Sequence, residues 1–286
     1  AGSNDGTFLN EIVNLSKAKV LGVDPSSNIS KIARRKKIQT LTSYFDYKCS
    51  RIIKKKFGNA DVIYGANVFN HVDDINNFLK GVSRLIKNNG RLILEVPDLN
   101  SLIEKVGFDT IYHEHVSFFN INSMNELAKR TNLTLTDVIK TPVHGISYLF
   151  RFTKNTFEGR RKVFNEIEVE RQRGLLSKKT YNEYTKNITK LVSDFKELVQ
   201  NSKREGFKLI GYGAAAKGMT FLNFAGVKLD YIIDDNELKH NLYTPGTNTI
   251  IKPNGFLKQF KENDKMLFIP LAWNFYDEIQ GRILKT

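Results

Sequence analysis

Short runs of β-branched and aliphatic residues alternate with helical patterns along this chain, and this alternation limits the fold more than any other feature of the sequence. Three such runs in the first 150 residues lie at positions 20–23, 61–64 and 91–96. Between the last two, Phe78, Val82 and Leu85 recur at helical spacing, and we expect Asn88-Asn-Gly90 to end that helix. Strands that alternate with helices are typical of a parallel sheet covered by helices.

A second set of short runs begins after residue 206, at positions 209–212, 229–233, 249–251 and 266–269. Between the two sets, residues 157–205 carry an apolar stripe at helical spacing, formed by Tyr181, Tyr184, Ile188, Leu191, Phe195 and Leu198. The sequence therefore predicts an α/β protein with two tandem Rossmann-like parallel-sheet domains joined by amphipathic helices. We expect the first domain at 1–155, the helical connector at 156–206 and the second domain at 207–286.

Composition excludes disordered, collagen-like and low-complexity proteins. The 286 residues are 41% hydrophobic and 26% charged, which is ordinary globular composition, and the single Cys49 cannot form an intrachain disulfide. No apolar run approaches the ~18 residues that span a bilayer. Nine of the basic residues behind the net charge of +14 fall between Arg34 and Lys56, and without a nucleic-acid motif we interpret them as a solvated surface. We expect a cytoplasmic protein that binds neither nucleic acid nor membrane, and the sequence leaves its oligomeric state open.

The first chemical motif is a glycine-rich turn, Gly2-Ser-Asn-Asp-Gly6, that leads directly into an amphipathic helix. Such a turn lets a ligand approach the backbone and the free N–H groups of the helix. About 18 residues later a strand delivers Asp24, and an acid there can accept the ribose hydroxyls of a nucleoside. The pair fits NAD, flavin or S-adenosylmethionine equally, and Asp24-Pro25 alternatively forms a turn or helix cap. Because no hydrophobic strand precedes Ala1, we expect the first strand of this domain to be missing.

The second motif is Tyr112-His-Glu-His115, which follows a strand-to-loop region. Histidines two apart point to opposite sides of an extended chain, so a shared metal is disfavoured, and no third ligand lies at zinc spacing. A structural role for each histidine remains open. Acid–base chemistry explains the cluster better, because a neutral imidazole is a suitable base at cellular pH.

The third motif is Gly211-Tyr-Gly-Ala-Ala-Ala-Lys-Gly218, between a strand and a helix, with Asp234-Asp235 about 20 residues further on. This pattern is similar to a dinucleotide-binding turn and permits a rival hypothesis, an NAD-dependent oxidoreductase that uses Gly211-x-Gly213. Lys217 places a cation in the first helical turn, where a diphosphate would bind. A glycine turn that only packs helix against strand is the third possibility.

Six motifs occur in an order that resembles one family over essentially the whole chain. They are Gly2-Ser-Asn-Asp-Gly6, Gly22-Val-Asp-Pro25, Asn67-Val-Phe-Asn-His71, Phe108-Asp-Thr-Ile-Tyr-His-Glu-His115, His144-Gly-Ile-Ser147 and the Gly211–Gly218 block. The chain resembles the S-adenosylmethionine-dependent sugar C-methyltransferases that act on nucleotide-linked 4-keto deoxysugars. Two differences from that family are expected: the N-terminal cysteine-rich zinc domain is not among these residues, and Ile146 stands where a second glycine is usual.

The resemblance implies a role for each candidate residue. His115 is the base that removes a proton next to the ketone, Glu114 and Tyr112 orient or polarise the sugar, and His71 faces the same cleft. The residues expected to bind S-adenosylmethionine are Gly2, Ser3, Asn4, Asp5, Gly6, Asp24 and Asn67. Those expected to bind the nucleotide-linked keto-sugar are Gly211, Gly213, Lys217 and His144, and no metal is expected. The alternatives are the oxidoreductase and an inactive, truncated binding module.

Overall fold

The computed structural model of this protein describes residues 1–143, 146–154, 159–261 and 263–284. By its internal contacts the chain divides into two compact units. Unit 1 comprises Ala1–Ser101 and Glu114–Ser177, and unit 2 comprises Leu102–His113 and Lys178–Thr286. This division by packing differs from the sequence-based boundaries: the expected connector at 156–206 contributes to both units, and residues 102–113 pack in unit 2.

The described residues of unit 1 form two sheets. β1 (Gly22–Asp24) and β2 (Thr40–Thr42) form a parallel pair. β3 (Ala60–Ala66), β4 (Ile86–Pro97), β5 (Thr134–Thr141) and β6 (Ser147–Thr153) form a four-stranded sheet in the order β3-β4-β6-β5. β3 and β4 run parallel, whereas β6 is antiparallel to both of its neighbours. The predicted α/β class is confirmed, but an all-parallel sheet is wrong for this unit.

The reason for the antiparallel pairing is the short connection between β5 and β6. Only five residues separate Thr141 from Ser147, and a parallel crossover needs a dozen or more. Tyr148, Phe150 and Phe152 alternate along β6 and are buried, which is the pattern of a strand with one face on a core.

The helices of unit 1 cover these sheets. They are α1 (Thr7–Ser16), α2 (Ser27–Arg35), α3 (Tyr47–Phe57), α4 (Ile75–Leu85), α6 (Ile121–Arg130) and α7 (Arg160–Gln172), and α5 (Leu99–Glu104) lies where the chain passes from unit 1 to residues 102–113. Side chains cap several of them: Asp46 accepts a hydrogen bond from Cys49 N at 2.6 Å, and Asp74 accepts one from Asn77 N at 2.9 Å.

The end of α4 corrects one prediction. The helix ends at Leu85, and Asn88-Asn-Gly90 lies inside β4 instead of terminating the helix. Ile86 is fully buried and already pairs with Ala60, so the strand begins at once and the extra residues are accommodated by a register shift. A Cβ on Gly90 would lie 2.9 Å from the carbonyl oxygen of Asp61, which explains the glycine in this irregular stretch.

Unit 2 is built on a parallel sheet. β7 (Lys208–Tyr212), β8 (Tyr231–Ile233), β9 (Ile251–Lys252) and β10 (Met266–Pro270) pair in the order β10-β7-β8-β9, and every pair is parallel. Leu209 and Ile210 belong to different hydrophobic clusters, so β7 is covered on both faces. This matches the continuous apolar run expected of a buried parallel strand.

The helices of unit 2 are α8 (Lys178–Arg204), α9 (Ala216–Ala225) and α10 (Tyr276–Ile283). The helical prediction for residues 157–205 is confirmed by α7 and α8, and Tyr184, Ile188 and Phe195 of the predicted stripe pack against the core of unit 2. Leu191 and Leu198 of that predicted stripe do not, since they are exposed while Val192 and Val199 are buried. Among the described residues, no helix is both long enough and apolar enough to cross a membrane.

Candidate active site

The glycine turn of unit 1 packs beside the carboxyl end of β1. Ser3 N donates to Val23 O at 3.1 Å, and Asn4 N donates to Asp24 Oδ2 at 2.9 Å. Asp24 Oδ1 accepts from Ser26 N at 2.9 Å, so the carboxylate also stabilises the turn that follows β1. The structural role proposed for Asp24-Pro25 is therefore present, and it leaves part of the acceptor capacity of this 8% exposed carboxylate for a ligand.

Both glycines of the turn are required by the local backbone conformation and packing. Gly2 has φ +62°, and a Cβ there would lie 2.1 Å from Val68 Cγ2. Gly6 has φ +80° and approaches Ala33 and Ile38. Because Val68 directly follows Asn67, the close approach of Gly2 brings the turn against the loop that follows β3.

This turn fits a nucleoside cofactor. Ser3 Oγ is buried and has no hydrogen-bond partner among the residues that the structure describes. It faces Gly22, where a Cβ would lie only 2.6 Å away. A buried hydroxyl without a partner and a carboxylate with spare lone pairs are the groups that a bound nucleoside would satisfy. Asp5 contributes less, because Lys36 binds its carboxylate at 2.6 Å and holds its pKa at about 2.

Asn67 lies in the loop after β3 and is held by a residue that sequence reasoning missed. Its backbone N donates to Glu95 O at 2.8 Å, and its Nδ2 donates to Glu95 Oε1 at 3.2 Å. Tyr64 donates to the other carboxylate oxygen of Glu95 at 3.3 Å. Burial and the neighbouring Glu95 charge raise the pKa of Tyr64 to about 12. The sequence signal for these contacts of Glu95 was a carboxylate inside the apolar run at 91–96, because a buried charge needs partners.

The structure brings His71 and His115 together in unit 1. Their ring centroids are 4.9 Å apart, and His71 Nδ1 lies 2.7 Å from Glu114 O. Because a carbonyl oxygen only accepts, Nδ1 of His71 carries the hydrogen, and in the neutral ring Nε2 keeps its lone pair. The short 3₁₀ turn Phe69–His71, after β3, presents His71 to this pair.

Tyr112 and His113 belong to the segment that packs in unit 2, so the Tyr-His-Glu-His motif is divided between the units. Tyr112 N donates to Thr110 O at 3.1 Å, and its ring lies 6.2 Å from the ring of His113. Phe108, four residues before Tyr112, packs on Phe221 and Phe224. The motif therefore also has a structural function within unit 2.

In the glycine turn of unit 2, some residues serve packing and others are candidates for binding an anion. Gly211 is buried in β7, and a Cβ there would lie 2.7 Å from Leu271 Cδ1, so this glycine serves packing. Gly213 has φ +89° and donates its N–H to Ile233 O at 2.7 Å. Lys217 lies in the first turn of α9, with its ammonium 4.9 Å from the centre of the Trp273 ring. Burial lowers the pKa of Lys217, and Asp109 opposes that shift.

Asp234 repeats in unit 2 the bonds that Asp24 makes in unit 1. Its Oδ2 accepts from Ala214 N at 2.7 Å, and its Oδ1 accepts from Asn236 N at 2.9 Å. One difference is large: Lys239 Nζ lies 3.1 Å from Asp234 Oδ2 and also donates to Ala214 O at 3.0 Å. A cavity of about 330 Å³ lies at this edge of the sheet and is lined by residues that include Tyr212, Asp235 and Arg282.

His144 lies outside the described residues. Within the described ranges, no three His, Cys, Asp or Glu side chains are grouped as metal ligands would be.

Comparisons with known proteins agree with this geometry. Residues 1–138 match the model of a methyltransferase domain, and residues 142–285 match the model of a C-methyltransferase C-terminal domain. The C-methyltransferase NovU of Streptomyces niveus is 31% identical over 283 residues. That alignment covers 97% of this chain, and the chain spans 66% of the length of NovU.

Part of the chain is also similar to solved methyltransferase structures. A Thermotoga maritima SAM-dependent methyltransferase, described as a possible histamine N-methyltransferase, is 20% identical, with a TM-score of 0.40 over 54% of this chain and 79% of that one. Magnesium protoporphyrin IX methyltransferase of Synechocystis PCC 6803, solved with bound SAH, is 14% identical, with a TM-score of 0.42 over 54% of this chain and 72% of that one.

The glycine turn, the strand-end acid and the methyltransferase-domain match define unit 1 as a Rossmann-like methyltransferase domain of the S-adenosylmethionine-dependent class. The match of residues 142–285, half of the sequence, is more specific. The chain belongs to the C-methyltransferase family.

Proposed function

We propose that this chain is a C-methyltransferase that removes a proton from the carbon next to the ketone of a nucleotide-linked keto-deoxysugar and methylates that carbon. The observation that carries the proposal is the His71–His115 pair beside Glu114. His71 follows Val68, the residue that the glycine turn of unit 1 approaches. Methylation of carbon requires a base of this kind, because the carbon becomes a nucleophile only after losing its proton.

His115 is the base in this proposal. Its imidazole takes the proton, and the resulting enolate needs a hydrogen-bond donor at its oxygen, for which Tyr112 is the candidate that the family resemblance indicates. His71 fixes the backbone of Glu114 through Nδ1, and therefore also holds the residue next to His115. Because Nε2 of His71 is available as an acceptor, His71 is the second candidate for the base.

S-adenosylmethionine supplies the electrophilic methyl group when it is bound. The residues that fit it are Ser3, Asn4 and Asp24, with Asn67 on the neighbouring loop. Asp24 accepts ribose hydroxyls through the lone pairs that its two backbone bonds leave, while Glu95 holds Asn67 in place.

Replacement of Asp24 by Ala should weaken binding of S-adenosylmethionine by about 1–3 kcal/mol, which is ~5- to 150-fold in Kd. Calorimetric titration measures this. Asp234→Ala is the matched control, because it removes the same pair of backbone bonds in unit 2 and should leave the affinity unchanged. Equal affinity of the Asp24→Ala variant and the unmodified protein would refute the cofactor site.

The nucleotide end of the substrate is proposed to bind unit 2 through Lys217. The ammonium lies in the first turn of α9, where helix N–H groups and the helix dipole favour an anion. A phosphate would compete with the Trp273 ring for this cation. At the cavity beside Asp234 and Asp235, the cations Lys239 and Arg282 already pair with these carboxylates, so Lys217 is our candidate for the diphosphate.

Lys217→Ala should raise KM for the nucleotide sugar about 10- to 100-fold, and it should lower turnover less, because a charge-assisted hydrogen bond to phosphate is lost. Steady-state kinetics with each substrate varied separates the two effects. Lys217→Met, which keeps an apolar stem against Trp273, should behave in the same way. A variant that loses NADH binding and keeps sugar binding would favour the oxidoreductase instead.

A further inference from the structure

The segment that carries Glu114 and His115, residues 114–120, is held along its length by three successive residues of one turn. Phe69 stacks on Phe119 with centroids 5.0 Å apart, Asn70 O accepts from Ser117 N at 3.1 Å, and His71 Nδ1 lies 2.7 Å from Glu114 O. Each of these contacts comes from the Phe69–His71 turn, so that turn and the segment move together.

The other end of the segment runs into α6, and a residue far along the chain holds it there. Glu170 on α7 is 3% exposed. Its Oε1 accepts from Ile121 N at 2.8 Å, and its Oε2 accepts from Asn122 N at 3.0 Å. These are first-turn N–H groups of α6, which have no partner within their own helix. A carboxylate at this position also interacts favourably with the helix dipole.

The same carboxylate reaches the residues that follow β4. Asn100 Nδ2 donates to Glu170 Oε1 at 2.6 Å and to the Tyr148 hydroxyl at 3.3 Å. Asn100 N donates in turn to Asp98 Oδ1 at 2.8 Å. Leu99 N donates to Phe119 O at 3.3 Å, which ties the end of the segment to the same residues.

We propose that Glu170 is a positioning residue for His115: it fixes the start of α6 to the residues after β4 and so fixes the segment that carries the base. The proposal rests on the function proposed above. It concerns a residue that lies in no sequence motif and whose carboxylate accepts the three hydrogen bonds given above. A base displaced by about 1 Å loses much of its effect. Loss of the Glu170 hydrogen bonds should therefore lower turnover more than it weakens binding of the cofactor.

Glu170→Gln tests the role of these hydrogen bonds, because glutamine has almost the same size and shape as glutamate. The carboxylate accepts three hydrogen bonds through two oxygens, whereas an amide has one acceptor oxygen and presents an NH₂ group on the other side. At least one buried N–H then faces another donor. Glu168→Gln is the matched control, because Glu168 lies two residues away on the same helix and pairs instead with Arg171.

Two measurements are needed, both on the full chain and at a temperature at which each variant is fully folded. For Glu170→Gln we expect kcat to fall at least ~10-fold, with KM for S-adenosylmethionine within about twofold. Amide hydrogen exchange should accelerate in residues 114–123 and stay unchanged in α4. Glu168→Gln should match the unmodified protein in both measurements.

Unchanged kcat in a folded Glu170→Gln variant overturns the proposal, and so does a loss of kcat with unchanged exchange in residues 114–123. If Glu170→Gln does not fold, Glu170→Asp replaces it, and the same two changes are expected at smaller size. Failure of the unmodified protein to methylate any keto-sugar would refute the proposed function alone. In that case the exchange in residues 114–123 still decides whether Glu170 holds the segment.

Discussion

His115→Asn is expected to lower turnover at least ~10²-fold and to leave the affinity for S-adenosylmethionine unchanged. Asparagine keeps a polar group near the same place but cannot accept a proton, so the substrate carbon keeps its hydrogen. The groups that fit the cofactor, Ser3 Oγ and the Asp24 carboxylate, are not altered by this change. Methyl transfer from labelled cofactor measures the loss.

Exchange of the substrate's α-proton with deuterated water isolates the proton-transfer step. With the cofactor product bound, the unmodified protein should exchange this proton and His115→Asn should not. His113→Asn is the matched control, because His113 is an exposed histidine two residues away. This variant should exchange the substrate proton at the normal rate. Exchange at the normal rate in His115→Asn would assign the base elsewhere, with Nε2 of His71 as the next group to test.

Gly159→Ala is expected to destabilise unit 1 by about 3–5 kcal/mol, the largest effect on stability that we predict. Gly159 precedes α7 with φ +70°, and a Cβ there would lie 1.9 Å from the carbonyl oxygen of Thr136 on β5. The left-handed conformation costs an alanine about 1–2 kcal/mol, and displacement of a strand backbone adds to that. Denaturant unfolding measures the free energy.

Gly206→Ala separates the two causes. Gly206 has φ +84°, but nothing lies within 4 Å of the position where a Cβ would be. The variant should therefore lose only the ~1–2 kcal/mol of backbone strain. If both variants lose the same amount, the contact with Thr136 has no energetic weight and the local packing described here is wrong.

Most strand positions could be predicted from the sequence, because a run of aliphatic residues is a local signal. The runs at 61–64 and 91–96 became β3 and β4, and those at 209–212 and 266–269 became β7 and β10. The direction of β6 does not follow from its own residues. It follows from the five-residue connection to β5, which is too short for a parallel crossover. The end of α4 was placed too late for a similar reason: burial of Ile86 outweighs the turn preference of Asn88-Asn-Gly90.

The candidate site was predictable in its residue types and much less in its partners. Asp24 stands where an acid was expected, but its bond to Asn4 N joins residues 20 apart and depends on the folded turn. Glu95 and Glu170 were not identified, because a single acid in a strand or helix has no motif. Both are less than a tenth exposed. Glu95 holds the predicted site residue Asn67, and Glu170 holds the start of α6, just after the segment that carries His115.

The ammonium of Lys239 makes the two strand-end acids chemically unequal. Asp24 and Asp234 each accept hydrogen bonds from two backbone N–H groups, yet the Lys239 ammonium also lies 3.1 Å from Asp234 Oδ2. Any hydroxyl that approached this oxygen of Asp234 would have to compete with that cation. Two carboxylates with the same backbone bonds therefore offer a polar ligand different acceptors.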